Sequence, residues 1–108
     1  ASTFVASFIG SPPMNLLRHA PGTTPGRILG IRPEHLQLTP GQGWSLQAET
    51  VELLGAERLV HARLGQEALT LRLDESLPAP APGQPFEASA RPDKLHHFDE
   101  HTGLRISP

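Results

Sequence analysis

The sequence predicts an all-β fold, a small barrel of short antiparallel strands, and three observations lead to this prediction. Short runs of alternating apolar and polar residues recur from residue 27 onwards and are separated by turn residues. Twelve prolines and ten glycines interrupt the 108 residues too often for long helices. A chain of this length builds one modest core, and closure into a barrel removes sheet edges that would otherwise invite aggregation.

Residues 3–10 are predicted to form a short helical lead-in. They carry apolar residues at helical spacing, Phe4, Val5, Phe8 and Ile9. Gly10 and the prolines that follow it end the helix. Because eight residues make a weak helix in isolation, we expect the end of a longer element that belongs to a preceding domain.

Five strands and a final hairpin are predicted after the irregular residues 19–26. The strands cover residues 27–32, 45–54, 58–64, 69–73 and 86–91, and the hairpin joins 95–98 to 104–107. The alternation of the second strand changes phase near Val51, which indicates a β-bulge. Gly55-Ala56 and Gly65-Gln66 are predicted turns, and the proline-rich residues 77–83 predict a stiff, extended loop.

Two segments of the sequence resemble each other. Residues 30–36 read GIRPEHL and residues 89–95 read SARPDKL, so each is a predicted strand that ends in Arg-Pro-acid-x-Leu. Proline ends the strand because it has no N–H to donate, and we expect the acid to accept N–H groups of the following turn and the leucine to fold back into the end of the barrel. Either two half-barrels are related by approximate two-fold symmetry, or a short pattern has recurred by chance.

Composition excludes several classes of function. A net charge of -2 and 5% aromatic residues argue against nucleic-acid binding, which needs a basic face and, for single strands, stacking rings. The chain has no cysteine and therefore no disulfide or thiolate zinc site. It has no phosphate-binding loop of the G-x-x-x-x-G-K type, so we expect no ATP hydrolysis by this chain alone. We also expect neither a membrane-spanning helix nor a signal peptide.

The six histidines raise the question of a metal site. His96, His97, Asp99 and His101 form the densest group, but adjacent strand residues face opposite sides of a sheet, so His96 and His97 cannot easily share an ion. The paired carboxylates fall in predicted loops, and no serine or cysteine stands in the context of a nucleophile. We therefore expect no metal and no enzymatic activity in this chain.

Five segments, taken in order, resemble one protein family. They are FVASFIGSPPMN at residues 4–15, GIRPEHL at 30–36, VELLGAE at 51–57, LVH at 59–61, and LHHFD at 95–99 followed by Thr102, Gly103 and Arg105. Together they resemble the C-terminal domain of the ATP-binding subunits of bacterial carbohydrate ABC importers. The glycerol-3-phosphate branch is the most similar, and the maltose branch is related to it.

The resemblance implies an OB-like barrel of the TOBE or MOP type and a division of the chain in two. Residues 1–17 would be the connection from an ATPase domain that this sequence does not contain, and residues 18–108 the regulatory domain. The resemblance implies no cofactor here, but ATP and Mg in the parent ATPase. Its implied partners are the nucleotide-binding domain, a second copy of itself, membrane permease subunits reached indirectly and a phosphotransferase-system regulator, at the cytoplasmic face of the bacterial inner membrane.

One region departs from the family, and four residues match its regulatory surface. Between residues 17 and 30 the family usually has a further hairpin, which is either lost from this protein or missing from this sequence. If it is lost, the barrel has an open edge that dimer pairing would cover. The maltose-branch regulatory surface matches Gly30, Glu34, Gly55 and Phe98. The structural alternatives are a bend at each glycine, a capping role for Glu34 and a core position for Phe98.

Two functions from different classes follow. The favoured one is a regulatory and dimerising domain of an ABC transporter ATP-binding protein that energises import of a carbohydrate or a glycerol-3-phosphate-like solute. The alternative is a stand-alone module that binds an oxyanion, molybdate or tungstate. Such a module needs backbone N–H nests and Ser, Thr or Lys groups, and this chain has a single lysine, Lys94.

Overall fold

A computed structural model describes residues 13–106 as two antiparallel β-sheets with little helix, which confirms the all-β prediction. The described strands are β1 Asn15–Leu17, β2 Arg27–Ile31, β3 Leu36–Leu38, β4 Trp44–Leu54, β5 Glu57–Leu64, β6 Glu67–Asp74, β7 Pro85–Ala90, β8 His96–Asp99 and β9 Arg105–Ile106. The four-stranded sheet has the order β1-β2-β8-β9, and the five-stranded sheet has the order β3-β7-β4-β5-β6. The predicted helix at residues 3–10 lies outside the described residues.

The five predicted strands and the final hairpin are confirmed as β2, β4, β5, β6, β7 and β8–β9. The two strands that were not predicted, β1 and β3, have three residues each, too few for alternation to show. Their partners define them, since β1 pairs with β2 and β3 pairs with β7. Residues 15–17, the last of the predicted connection, are therefore part of the folded sheet.

The predicted irregularity in β4 is confirmed as a shift of register between Ala48 and Thr50 in the pairing with β5. The extra residue, Glu49, lies two positions before Val51, where the alternation changes phase. The turns that follow β4 and β5 carry Gly55 at φ 61° and Gly65 at φ 62°. Both glycines therefore adopt the left-handed conformation that tight hairpin turns require.

The two Arg-Pro segments form a structural repeat. After β2, a 3-10 turn at Pro33–His35 carries the chain from the four-stranded sheet into β3 of the five-stranded sheet. After β7, a second 3-10 turn at Pro92–Lys94 carries it back into β8. The strand pairing is equivalent in the two copies. Gly30 pairs with His96, and Ser89, which corresponds to Gly30, pairs with Gln37, which corresponds to His96. The echo in the sequence therefore reflects approximate two-fold symmetry.

The capping role expected for the acidic residue of each turn is wrong for the described residues. Backbone bonds close the two turns, from Leu36 N–H to Pro33 C=O and from Leu95 N–H to Pro92 C=O at 3.5 Å, and neither N-cap residue makes a side-chain bond. The acid follows the proline inside the turn, whereas a capping side chain must precede the turn to reach its N–H groups. Asp93 instead lies 3.6 Å from the guanidinium of Arg91.

The main core lies between the two sheets, and a smaller cluster lies apart from it. The main core contains buried aliphatic residues of both sheets, including Leu17, Ile31, Leu36, Leu46, Val60 and Leu71. The smaller cluster contains Met14, Ile28 and Phe98. Leu36, which follows the first Arg-Pro turn, is 3% exposed, as expected for a leucine that folds back into the barrel end.

Side chains join the edge of β1 to the edge of β6. The side-chain amide of Asn15 donates to the C=O of Thr70 at 2.8 Å, and the N–H of Thr70 donates to Oδ1 of Asn15 at 2.8 Å. The carboxylate of Glu67 accepts the N–H groups of Arg18 and His19 at 2.8 and 2.7 Å. The Asn15 bonds satisfy backbone groups of Thr70 at the edge of β6, and the Glu67 carboxylate satisfies backbone N–H groups that follow β1.

Candidate regulatory surface

Gly30 and Phe98, two of the four predicted site residues, lie together in the smaller cluster. Phe98 is 1% exposed. A Cβ on residue 30 would lie 2.8 Å from Cε2 of Phe98 and 2.7 Å from Sδ of Met14, closer than real Cβ atoms approach other atoms. Gly30 therefore leaves room for the ring of Phe98, and this burial favours the core position that the sequence left open for Phe98.

Glu34 and Gly55, the other two predicted site residues, lie on the surface. Glu34 is exposed in the first Arg-Pro turn. Gly55 is exposed in the turn between β4 and β5, and no atom lies within 4 Å of the position of a Cβ there. The structure thus divides the four residues into a buried pair and two exposed positions on separate elements.

The outer half of β4, Thr50–Leu54, is an open edge. On one side, β4 pairs with β7 only from Trp44 to Gln47, and Ala48 makes the last backbone bonds with residues 83 and 84. On the other side, β4 pairs with β5 as far as Leu54. Among the described residues, Thr50–Leu54 therefore have a backbone partner on one side alone, and we call this segment the open edge.

The open edge exposes apolar side chains. Leu53 is 76% exposed and Leu54 is 43% exposed. Because adjacent strand residues face opposite sides of a sheet, one core cannot bury both leucines. Leu53 pairs with Arg58, whose Nη1 donates to the C=O of Leu77 at 3.4 Å, and Leu77 is itself 43% exposed. Exposed leucines on an unpaired strand edge are typical of surfaces that another chain covers.

A polar network on one face fixes the open edge to the rest of its sheet. Nε2 of His61 on β5 lies 2.5 Å from the carboxylate of Glu52 on the open edge, and its Nδ1 lies 3.2 Å from Oγ1 of Thr70 on β6. The backbone of Thr70 in turn binds Asn15. The network runs from β4 to β1, so the open edge is held in position without a second strand beside it.

A basic cluster surrounds His96 on the four-stranded sheet. Burial of the ring, followed by the positive charges of Arg105 and Arg32, lowers the pKa of His96 below its usual value. The ring nitrogen Nδ1 of the nearby His35 is buried and has no partner in the described part of the chain. Among residues 13–106, neither Arg32 nor Arg105 forms an ion pair with a carboxylate. The cluster therefore presents unbalanced positive charge near Gly30.

Asp99, one of the residues considered for a metal site, accepts hydrogen bonds from the turn that follows β8. Oδ1 of Asp99 accepts the N–H groups of Thr102 and His101, both at 2.9 Å, and these bonds, the one from Thr102 first, lower the pKa of Asp99. Residues 13–106 contain no group of three or more His, Cys, Asp or Glu side chains placed to hold a metal ion. In the same range, no helix is long and apolar enough to cross a membrane.

The position of the open edge in β4 and the basic cluster are the features that sequence reasoning missed. Leu53-Leu54 within an alternating strand was the available signal for the open edge, because one of two adjacent leucines has to face outward. No comparable signal existed for the basic cluster. Arg32 and Arg105 are 73 positions apart, and the pairing of β2 with β8 and of β8 with β9 brings them near one ring.

Comparison with known proteins gives a family match and several relatives. The model of the family described as the TOBE domain matches residues 29–98. The chain is similar to proteins named sn-glycerol-3-phosphate import ATP-binding protein UgpC. In Burkholderia pseudomallei (strain 1710b) the identity is 37% over 97% of this chain, and in Yersinia pestis bv. Antiqua (strain Antiqua) it is 39% over 100%. In Burkholderia thailandensis it is 38% over 97%.

The chain spans 37% of the length of each of these relatives. The alignment with the Yersinia protein extends over 132 positions, whereas this chain has 108 residues, so at least 24 positions of the relative have no counterpart here. A difference of this size is large enough to accommodate the further hairpin that the resemblance implies for the family between the positions of residues 17 and 30.

Proposed function

The chain belongs to the TOBE domain family, and from this premise we propose that it is the C-terminal regulatory and dimerisation domain of an ABC importer ATP-binding protein. The observation that carries the proposal is the 37–39% identity along nearly the whole chain to UgpC proteins, of which the chain spans 37%. Because the names of these relatives specify sn-glycerol-3-phosphate import, the solute proposed for the whole transporter is a glycerol-3-phosphate-like compound.

The proposed parent protein has its catalytic machinery upstream of this chain. Residues 1–17 connect to a nucleotide-binding domain that binds ATP and Mg, and residues 18–108 form the regulatory domain, with β1 packed against it. In this proposal the chain itself catalyses no reaction. The transporter subunit lies in the cytoplasm at the inner face of the bacterial inner membrane. Its nucleotide-binding domain contacts the permease subunits, so the regulatory domain is connected to them indirectly.

We assign self-association to the open edge. Exposed backbone groups of Thr50–Leu54 and the side chains of Leu53 and Leu54 supply the hydrogen bonds and the apolar area that pairing with a second copy requires. A pair of such domains holds two nucleotide-binding domains together while these open and close. A regulator that binds one of these states more tightly shifts the equilibrium towards that state.

We assign regulator contact to the two exposed predicted residues, Glu34 and Gly55. The buried pair, Gly30 and Phe98, lies in the four-stranded sheet that leads into the turn of Glu34, and substitutions there act on the regulatory surface through the shape of that turn. A regulator of the phosphotransferase system is the proposed partner, as the resemblance to the maltose branch implies. The basic cluster near Gly30 favours a partner with an acidic surface.

Sedimentation equilibrium over a wide concentration range tests the assignment of the open edge. We expect the chain to dimerise and the variant Leu53→Glu to remain a monomer, because a charge replaces an exposed apolar contact. Leu104→Glu is the matched control, since Leu104 is 60% exposed and precedes β9, far from the open edge in the sheet order. A chain that stays monomeric, or equal effects of the two variants, would overturn the assignment.

A domain exchange tests the transporter role. The chain replaces the aligned region of a UgpC protein, and uptake of glycerol 3-phosphate is measured in cells that lack their own subunit. We expect uptake to be retained by the chimaera and lost when a stop codon precedes the exchanged region. Loss of uptake by a chimaera that folds and retains ATPase activity would contradict the role.

A further inference from the structure

A pocket with basic side chains lies beside the loop that joins β1 to β2. It has a volume of about 330 Å³ and is lined by Glu100, which follows β8, and by seven residues before or within β2: Arg18, His19, Ala20, Thr23, Pro25, Gly26 and Arg27. Backbone bonds shape the loop, from Thr23 N–H to Ala20 C=O and from Arg27 N–H to Thr24 C=O. The N–H of Glu100 donates to the C=O of Gly26 at 2.8 Å, which fixes the opposite wall to the loop. We call this site the loop pocket.

Positive charge exceeds negative charge in the loop pocket. Arg18 and Arg27 line it, His19 adds an imidazole, and Glu100 is its one carboxylate. Nε of Arg18 lies 3.8 Å from Oε1 of Glu100, a long and partly exposed ion pair. The loop pocket therefore has two arginines and one carboxylate, and only Arg18 pairs with that carboxylate.

Arg27 has no ion-pair partner within the described residues. Asp99 lies directly opposite Arg27 in the pairing of β2 with β8, but its carboxylate accepts the N–H groups of His101 and Thr102 instead. The guanidinium of Arg27 thus retains its capacity to bind an anion.

A buried hydroxyl adds a second, independent indication of a ligand. Thr23 is one of the residues that line the loop pocket, and its Oγ1 is shielded from solvent and has no hydrogen-bond partner in the described part of the chain. A buried hydroxyl without a partner is destabilising, and a ligand that accepts a hydrogen bond from it removes this cost.

We propose that the loop pocket binds a phosphoryl dianion, either as inorganic phosphate or as the headgroup of a small phosphomonoester. Guanidinium groups are suited to this ligand because their planar N–H donors match the geometry of phosphate oxygens. Arg18 and Arg27 supply the charge-assisted bonds, and Thr23 supplies a neutral donor. Glu100 competes for Arg18, so the ligand displaces this carboxylate when it binds. The inference is independent of the proposed transporter role, because the site lies wholly within this chain.

Titration of the isotope-labelled chain, followed by the NMR shifts of its backbone amides, tests the proposal. The probes are inorganic phosphate and glycerol 3-phosphate at constant ionic strength, with glycerol as the neutral control. We expect both phosphates to give saturable shifts in residues 18–27 and Glu100 at millimolar concentrations, and glycerol to give none. Equal affinities would identify the phosphoryl group as the recognised part, whereas tighter binding of glycerol 3-phosphate would identify a monoester as the ligand.

Charge substitutions should change the affinity in opposite directions. Arg27→Gln should weaken phosphate binding about tenfold, the loss expected for one charge-assisted contact. Glu100→Gln should strengthen binding about threefold, because it removes the competing carboxylate. Arg63→Gln and Glu49→Gln are the matched controls, since this exposed ion pair connects β4 to β5 outside the loop pocket. Absence of saturable shifts, or an unchanged affinity in Arg27→Gln with a native spectrum, would overturn the proposal.

Discussion

The inner and outer halves of β4 differ in burial although they form one continuous strand. The inner half has strands on both sides, and its residues Leu46 and Ala48 are 3% and 1% exposed. The outer half is the open edge, where Leu53 is 76% exposed. The outer half contains two leucines and the inner half one, so apolar content does not decide burial here. The number of flanking strands decides it, and the outer half remains available to a partner.

The largest expected loss of stability comes from truncating a buried leucine in the inner half of β4, and the same change in the outer half should cost little. Leu46→Ala should lower the free energy of unfolding by about 3 kcal/mol, because it leaves a cavity in the main core. Leu53→Ala should change it by less than about 0.5 kcal/mol in the monomer. Urea unfolding of both variants, at concentrations too low for self-association, measures the two values. Equal losses would show that the open edge is buried in the folded monomer.

The second prediction compares glycines of a buried and an exposed region. Gly30→Ala should cost about 2 kcal/mol, because the added methyl group collides with Met14 and Phe98. Gly55→Ala should cost about 1 kcal/mol, since open space surrounds the residue and only its positive φ opposes alanine. Thermal unfolding of the two variants provides the measurement. A larger loss for Gly55→Ala would contradict the packing described for the smaller cluster.

The third prediction concerns the edge of β6, where the side chain of Asn15 binds the backbone of Thr70. Removal of this side chain should leave the edge without a partner, as in the outer half of β4. Asn15→Ala removes both side-chain bonds to the backbone of Thr70 and should cost about 1.5 kcal/mol. Hydrogen exchange of the Thr70 amide reports the change locally and should become faster than exchange at Val60 in the main core. Unchanged protection of Thr70 would mean that another group covers this edge.

The smallest expected effect concerns pH. Because the pKa of His96 is lowered in the folded chain, the unfolded chain binds the proton more readily, and stability falls as the pH drops below the usual histidine value of 6.5. The lowered pKa values of Asp74 and Asp99 act in the same direction, but only near and below 3.8. His96→Gln should therefore reduce the loss of stability between pH 7 and 5, as urea midpoints would show. An identical loss in the variant would exclude His96 as its source.

Most of the fold could be predicted because alternation and turn residues are local signals. β6 shows this best, since Leu69, Leu71 and Leu73 alternate with polar residues and all three are buried. β1 and β3 could not be predicted, because three residues show no period and their identity as strands depends on distant partners. The repeated Arg-Pro pattern predicted the approximate two-fold symmetry. It did not predict that the chain passes from one sheet to the other at each copy of the pattern.

Family membership could be predicted from ordered motifs, and the comparisons confirm it. The individual site residues could not be ranked from the sequence, because a motif does not specify burial. Gly30 and Glu34 are four positions apart in one motif, yet one is buried against Phe98 and the other is exposed. The regulatory roles of Gly30, Glu34, Gly55 and Phe98, and the division of the chain at residue 17, stay predictions.

The crossing of the chain between the sheets constrains how the protein can be made. β2 pairs with β8, and Ile28 lies opposite Phe98, 70 positions later in the chain. During translation the four-stranded sheet therefore cannot assemble until β8 has left the ribosome, whereas the β4–β5–β6 meander forms earlier from neighbouring residues. Until β8 is synthesised, the nascent meander lacks the four-stranded sheet, and its open edge is exposed. Glu49 and Glu52, charged residues in or beside this edge, discourage premature aggregation during that interval.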